Sequence, residues 1–414
     1  EEKIQNFKKV EYWEIEAEFA KVNSNKNSET FKAKLRTIEG RNTKPLIPNQ
    51  NIADDIVKNI EQVEYKVEKI KIEEKIRKPY PPFITSTLQQ DASRKLRLSP
   101  SQAMSIAQQL YEGINIGTDG QVGLITYMRT DSTHLATIAL DETAKYISDK
   151  FGSEYVPNSP RRYGKNSKGA QEAHEAIRPT SIYRDPASLK PYLDNNQFNL
   201  YELIWKRMVA SQMENAIFDN TILDISTKGS NSGLKYTFQT VGSVMRFDGF
   251  RILYVEGTDD NESDDKKDDI LPAFKEAEKI NCYGVTPQQK FTEPPSRYTE
   301  ASLIRALEKA GIGRPSTYAT IVKTIQDRKY ANKVKGRFES TKLGNVVTMF
   351  LNQHFNKNIM DVKFTAKIEK ELDEIVEGSV GYNPVLNSLY SPFRDDLLKA
   401  EEADDVKNLF YETT

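Results

Sequence analysis

Between Val10 and Phe19 the chain reads VEYWEIEAEF, apolar and polar residues in alternation, and the pattern returns over Thr30–Ile38 and Val63–Ile76. Successive side chains of a strand point to opposite faces, so this period of two predicts strands with one buried face. The three prolines of KPYPPF (Lys78–Phe83) end the run, because proline brings no N–H to a ladder.

From Ser99 the period lengthens. Ser99 is a candidate cap, Pro100 suits a first helical turn, and Ala103, Ala107, Leu110 and Tyr111 share a face that ends at Gly113. A strand is expected over Val122–Met128. A helix follows from Asp131 or Ser132, turns Leu135, Ala139, Tyr146 and Ile147 inward, and stops at Phe151–Gly152. Leu200–Met213 is helical again, Ala216–Tyr254 returns to alternation, and strand signals recur at Lys279–Gly284.

The last third is helical. Thr299–Ala310 turns Leu303, Ile304, Leu307 and Ala310 to one side, and Ser316–Arg328 does so with Ile321, Val322 and Ile325. A turn at Gly313-Arg314-Pro315 joins the two helices, and a basic hairpin candidate, Tyr330–Thr341, comes after them. That is the outline of a winged helix-turn-helix. The order of strands, helices, strands, helices describes a multidomain α and β chain in which a helical unit is inserted into a β unit.

Composition narrows the classes. A chain of 414 residues exceeds one ordinary core, and 59 basic against 60 acidic residues give no net-charge case for nucleic acid. Any basic surface must come from segregation of charge. The single cysteine, Cys282, excludes an internal disulfide or a cysteine-based zinc site, and no apolar run approaches the length of a membrane span. Gly257–Asp269 (GTDDNESDDKKDD) reads as a solvated acidic loop, whose flexible carboxylates cannot impose octahedral geometry on a metal. The chain opens on Glu-Glu-Lys-Ile without a methionine and reads as a fragment.

The stretch with the most chemistry is GLITYMRTDS, residues 123–132. In an extended run Tyr127 and Arg129 fall on one side, so a phenol and a guanidinium can face one phosphate. A helix start just beyond would add free N–H groups and a positive dipole, a ready anion site. In-line attack on a phosphodiester needs this pairing of nucleophile and fixed positive charge. Against that, the chain holds 20 tyrosines, and a tyrosine in a strand is ordinarily a packing residue.

Five stretches in order, ITSTLQQDASRKL (84–96), GLITYMRTDS, AHEAIRPT (173–180), RYTEASLIRALEKAGIGRPSTYATI (297–321) and IQDRKY (325–330), closely resemble the type IA DNA topoisomerases. MRTDS and HEAIRPT favour the bacterial topoisomerase I branch over the topoisomerase III branch, which tends to have proline in place of Met128. The resemblance runs along essentially the whole chain.

It implies a toroidal core with a β arch and helical, winged-helix or CAP-like domains. By that analogy 1–23 and 293–414 form a helical gate base, 24–87 and 214–292 the arch, and 88–213 the inserted helical domain. The implied activity is ATP-independent relaxation of negatively supercoiled DNA. Tyr127 would be the nucleophile, Arg129 would steady the scissile phosphate, and His174 would lie near the same phosphate or its neighbour. Mg²⁺ would be held by a Toprim domain that this chain lacks, with no cofactor in the fragment itself, which alone would not complete cleavage and religation. Single-stranded DNA at the cut, duplex in a central hole, a monomeric state and a bacterial cytoplasmic (nucleoid) location complete the expectation, with no membrane role.

Further DNA contacts are expected at Arg97, Thr130, Asp131, Arg178, Arg297, Thr299, Glu300, Ser302, Arg314, Ser316, Tyr318 and Tyr330, with Tyr318 placed to stack on a base. Local readings stand beside these. Asp131 and Ser132 read as caps, Thr299 and Ser316 as N-caps, and Arg178 as closing its loop onto Glu172 or Glu175. Arg161–Lys168, four cations with no acid, either tracks DNA or is a solvated loop. The alternative from another class is a non-catalytic winged-helix protein that binds single strands. A phosphotyrosyl recombinase would need several Arg and His around a tyrosine near the carboxy end, which is not the pattern here.

Overall fold

The structure, a computed structural model, describes residues 1–22, 30–39, 45–164, 175–257, 270–355 and 359–402. The chain opens with one helical turn, α1 (Glu2–Gln5), then β1 (Glu11–Lys21), β2 (Phe31–Ile38), α2 (Gln50–Ile60) and β3 (Tyr65–Arg77). Five helices follow: α3 (Thr85–Leu96), α4 (Pro100–Glu112), α5 (Thr137–Lys150), the short α6 (Pro186–Leu189) and α7 (Asn195–Ser211). A two-residue hairpin, β4 (Ile114–Asn115) and β5 (Gln121–Val122), lies between α4 and α5. Strands β6 (Ala216–Thr227), β7 (Tyr236–Phe247) and β8 (Lys279–Phe291) return to the sheet. The remainder is α8 (Glu300–Lys309), α9 (Tyr318–Asp327), the hairpin β9 (Ala331–Val334) and β10 (Arg337–Ser340), and α10 (Lys342–Phe355), α11 (Val362–Val376) and α12 (Tyr382–Glu401).

The six long strands close an antiparallel barrel in the order β1-β2-β7-β6-β3-β8. Period-two alternation drives it: Ile15, Ala17 and Phe19 of β1 meet Tyr65 and Val67 of β3 and Leu223 and Ile225 of β6 in one buried core. Phe19, Tyr65 and Phe238 form an edge-on aromatic triad at the centre, with centroids 5.2 to 6.1 Å apart. Helix α2 turns Ala53, Ile56, Val57 and Ile60 into this core, capped by the Asn49 side chain. That helix falls in a region read from sequence only as β. One further correction concerns 1–23, grouped above with a helical unit. Strand β1 pairs along its length with β8 and over Glu16–Phe19 with β2, because its apolar face has the period of the barrel and not of a helix.

Helices α3 to α7 share a second core that includes Phe83, Leu88, Ala103, Ala107, Leu110, Leu135, Ala139, Tyr146 and Ile147. Ser99 and Gln102 form the capping box of α4 with Pro100 in its first turn, as the sequence leads one to expect. Tyr111, expected inward, is instead 40% exposed at the end of α4. The proline segment leaving β3 is fixed by Arg207 of α7, whose guanidinium lies 4.8 to 5.1 Å from the rings of Phe83, Tyr254 and Tyr80 and donates to Pro81 O at 2.6 Å. A third, small core of Ile304, Tyr318, Val322 and Phe338 joins α8 and α9 to the β9–β10 hairpin, giving the expected wing outline. No helix among the described residues is long and apolar enough to cross a membrane.

Candidate active site and nucleic-acid interface

The segment bearing Tyr127 hangs between three supports. Leu124 N–H donates to Leu110 O at the end of α4 (2.7 Å), and Gly123 passes so close to that helix that a Cβ would stand 2.7 Å from Tyr111 O. On the other flank Thr126 N–H donates to Arg178 O (2.9 Å), Thr180 N–H to Leu124 O (3.0 Å), and the Thr126 hydroxyl to Ala176 O (2.6 Å). The first turn of α3 supplies the third support. The Thr85 hydroxyl lies 2.8 Å from Met128 O and 3.0 Å from Thr130 O, and it accepts from Thr130 N–H at 2.9 Å. Thr85 N–H also donates to Thr130 O.

Neighbours in this segment therefore face opposite ways. Met128 and Thr130 are buried, while Tyr127 is 46% exposed and Arg129 is exposed. The ring of Tyr127 leans edge-on against Tyr111. The expected strand over Val122–Met128 stops at Val122, because the partners beyond it are a helix end and loops that offer only an isolated bridge between Ile125 and Pro179. Alternation survives without the ladder. Among the described residues Arg129 has no ion-pair partner, and its side chain, like that of Tyr127, is exposed.

The expected helix start is corrected. Helix α5 begins at Thr137, with Ala136 as an N-cap that has no side-chain oxygen, and Asp131 and Ser132 precede it in a turn. Ser132 N–H donates to Thr130 Oγ1 and Ser132 Oγ accepts from His134 N–H, so these polar groups serve the turn itself. The Ala136 N–H is taken by Glu175 Oε1 at 2.7 Å, which places an acid at the positive end of α5. Glu175 in turn holds Arg178 at 2.7 Å, so the loop-closing reading of Arg178 is the one realised, with Glu175 as partner. His174, Glu172 and Lys165–Lys168 lie outside the described residues.

The other expected contact residues divide by environment. Arg97 is exposed at the left-handed end of α3 (φ 57°). Arg297 pairs with Glu1 at 2.7 Å and Glu339 at 3.5 Å, and it holds the Glu1 carboxyl below the ordinary carboxylate value. Thr299 and Ser302 form the capping box of α8, so the cap reading of Thr299 is realised. Glu300 is buried and paired with Lys333 of β9 at 2.6 Å.

Arg314 reaches α11, 2.6 Å from Asp373 and 3.5 Å from Glu369. Ser316 is exposed and does not cap α9, whose N-cap is Thr317, so that expectation is corrected. Tyr318 is only 8% exposed in the small core, and burial pushes its phenol up to about 12 with the carboxylate of Glu308 adding to the rise. In this conformation its ring is a packing element and not a platform for a base, because α9 turns its first residue inward. Tyr330 is half-buried between α9 and α10. Thr85, Tyr111 and Glu308 were not singled out from sequence, though the run of hydroxyls opening α3 carried the signal for the first.

Among the described residues no group of three or more His, Cys, Asp or Glu is arranged to hold a metal ion, and the acidic run 258–269 lies outside them. What the arrangement offers is an exposed phenol and, two residues on, an exposed cation, on a backbone pinned from three sides.

A sequence profile of the family described as DNA topoisomerase matches residues 1–387. The "DNA topoisomerase 1" of Rickettsia felis is 43% identical over 412 residues, 99% of this chain and 52% of that protein. That of Xylella fastidiosa is 41% identical over 425 residues, all of this chain and 51% of its own length. The structure of full-length topoisomerase I from Thermotoga maritima superposes with a TM-score of 0.78 at 34% identity, covering 95% of this chain and 60% of that one. The chain thus spans about half the length of the curated relatives it matches.

Proposed function

The chain belongs to the bacterial type IA DNA topoisomerases, and from that premise we propose that it supplies the nucleophile for ATP-independent relaxation of negatively supercoiled DNA. The Tyr127 hydroxyl oxygen attacks the scissile phosphorus. A bond forms from Oη to phosphorus, the bond from phosphorus to the 3′ oxygen breaks, and the proton lost by the phenol is balanced by one gained at the leaving 3′-hydroxyl. The 5′ side of the break stays on Tyr127, a second strand passes, and the 3′-hydroxyl reverses the step. Ester energy is conserved in the link, so no nucleotide cofactor is needed. Arg129 stabilises the charge that grows on the phosphoryl oxygens, and His174 acts near the same phosphate.

Several finer assignments belong to the same proposal. The barrel, made from 24–87 and 214–292 with β1 added, is the arch; 88–213 is the mobile unit that carries Tyr127; 293–414 is the gate base. Arg97 and Asp131 border the single strand at the cut, while Arg178, Arg297, Thr299, Glu300, Ser302, Arg314, Ser316, Tyr318 and Tyr330 line or shape its path once the units move apart. Duplex DNA occupies a central hole, and the protein works as a monomer in the bacterial cytoplasm. In the complete topoisomerase Mg²⁺ would be held by an acidic Toprim cluster.

The observation that carries the reading is the exposure of Tyr127 and Arg129 in a segment whose Met128 and Thr130 are buried. The test is Tyr127→Phe in a complete topoisomerase containing this chain, incubated with end-labelled single-stranded DNA and quenched with denaturant. Loss of the protein–DNA adduct is expected. Adducts that persist would assign cleavage elsewhere and favour a binding-only role for this segment.

A further inference from the structure

Helices α3 and α4, which share a core with Leu124 and Met128 of the segment bearing Tyr127, pack against α8 and α9 of the carboxy-terminal unit. Two side-chain hydrogen bonds across this seam converge on one carboxylate. Ser86 Oγ donates to Glu308 Oε1 at 2.7 Å, and Gln90 Nε2 donates to Glu308 Oε2 at 3.4 Å. Ser86 and Gln90 are four residues apart, one turn along the same face of α3, and both are buried. The residue next to Ser86 is Thr85, which holds Met128 and Thr130 on either side of Arg129. An unbroken path of bonded groups therefore runs from α8 through the first turn of α3 to the backbone that presents the phenol.

A second observation falls on the same turn. Gln89 is fully buried in this turn of α3, and neither its amide oxygen nor its nitrogen has a hydrogen-bond partner among the described residues. A buried amide without a partner is costly and recovers its hydrogen bonds when water reaches it. The seam holds one anchor, a carboxylate receiving two donors.

We infer that Glu308 is a positioning residue for strand cleavage and rejoining: its carboxylate docks the Tyr127 unit on α8 and so sets where the phenol stands when the DNA ends are to be resealed. The inference rests on the reading of Tyr127 as nucleophile. Docking favours the rejoined state, because the 3′-hydroxyl and the phosphotyrosine meet only when the seam is closed. Loss of the anchor leaves the cut strand open for longer.

The test has two arms. In this chain with Cys282→Ser, spin labels at Lys145→Cys on α5 and Lys323→Cys on α9, both exposed positions, report the separation of the units by pulsed dipolar spectroscopy. Glu308→Ala should lengthen and broaden the distance distribution. Ser86→Ala with Gln90→Ala should do the same, and adding Glu308→Ala to that pair should change nothing more. Glu308→Gln, whose amide can still accept from Ser86 and pair with a flipped Gln90, should keep the short distance. An unchanged distribution in Glu308→Ala, or in the Ser86/Gln90 pair should Glu308→Ala not fold, overturns the inference. In the complete topoisomerase, Glu308→Ala should raise the denaturant-trapped adduct several-fold by slowing rejoining, with rescue in Glu308→Gln. Unaltered adduct levels overturn the positioning role. Adducts that survive Tyr127→Phe would instead sink the assignment of the nucleophile, and the distance result would stand apart from that failure.

Discussion

The rings of Tyr111 and Tyr127 meet edge to face, their centroids 5.4 Å apart and their planes at 67°. Tyr111 sits at the end of the helix to which the segment bearing Tyr127 is bonded, so the contact orients the phenol ring. Such pairs contribute roughly 0.5–1.5 kcal/mol beyond area burial, and this one is at the low end because both rings are partly exposed. Tyr111→Ala should therefore leave the thermal midpoint nearly unchanged while slowing adduct formation several-fold, and Tyr111→Phe should retain the wild-type rate. Equal rates in all three proteins would show that the ring contact has no part in orienting Tyr127.

Arg129 has an exposed side chain and no ion-pair partner among the described residues, so its charge does little for the fold. In the proposed role it acts on the phosphate outside. Removing a single donor aimed at a developing oxyanion costs about 100- to 1,000-fold in rate. Arg129→Ala should lose about that much in single-turnover cleavage, with an unchanged urea midpoint. Arg129→Lys should recover part of it, since a point charge replaces a planar fork. A urea midpoint that falls together with the rate would mean that the guanidinium supports structure.

Much of this molecule is written locally and could be read. The period of two marks β1, β2 and β3, and the caps at Ser99 and Thr299 sit where short side-chain oxygens precede apolar helical faces. Helix α2 was missed although Ala53, Ile56, Val57 and Ile60 carry its stripe, because its eleven residues lie inside a long β context. The start of α5 was misplaced for a different reason. Asp131 and Ser132 have the chemistry of caps, but Thr130 and His134 engage Ser132 first, and the helix begins at Thr137 behind an alanine N-cap whose N–H is served by Glu175, 39 residues away.

Distance in sequence also hid the partners of Arg314, which lie on α11, and those of Glu308, which lie on α3. A sequence shows that an arginine at a helix start suits phosphate. It does not show that Asp373 already occupies the place.

Alkali should unfold the chain through its buried phenols. Tyr163 and Tyr318 are both pushed up to about 12 from an ordinary value of 10, chiefly by burial. In the unfolded chain these groups lose their protons near pH 10, whereas the folded chain keeps them to about 12. Between those values the unfolded state binds fewer protons, so stability is fully present below the lower value and falls as pH rises through the window. Urea midpoints measured across it should decline. Tyr163→Phe, which removes a phenol that donates to Ser211 O at 2.6 Å, should lower the midpoint slightly at neutral pH and flatten the alkaline decline. A decline of the same slope in that variant would place the alkaline sensitivity on other groups.

Gly123 sets how close the segment bearing Tyr127 comes to α4. An added Cβ would stand 2.7 Å from the carbonyl oxygen of Tyr111, and both sides of that contact are backbone, so no flexible side chain can move aside. The segment itself must shift outward, straining the Leu124 N–H bond to Leu110 O and carrying Tyr127 away from the Tyr111 ring. Forced overpacking of this kind costs roughly 1–3 kcal/mol. Gly123→Ala should lower the urea midpoint by a corresponding amount and should also reduce adduct formation more than Tyr111→Ala does, because it displaces the whole segment and not one ring. Pairing Gly123→Ala with Tyr111→Ala then gives less than the sum of the two losses in rate, since the displaced phenol has already left the ring that the second change removes. Additive losses would mean that the glycine and the tyrosine act on the nucleophile by separate routes.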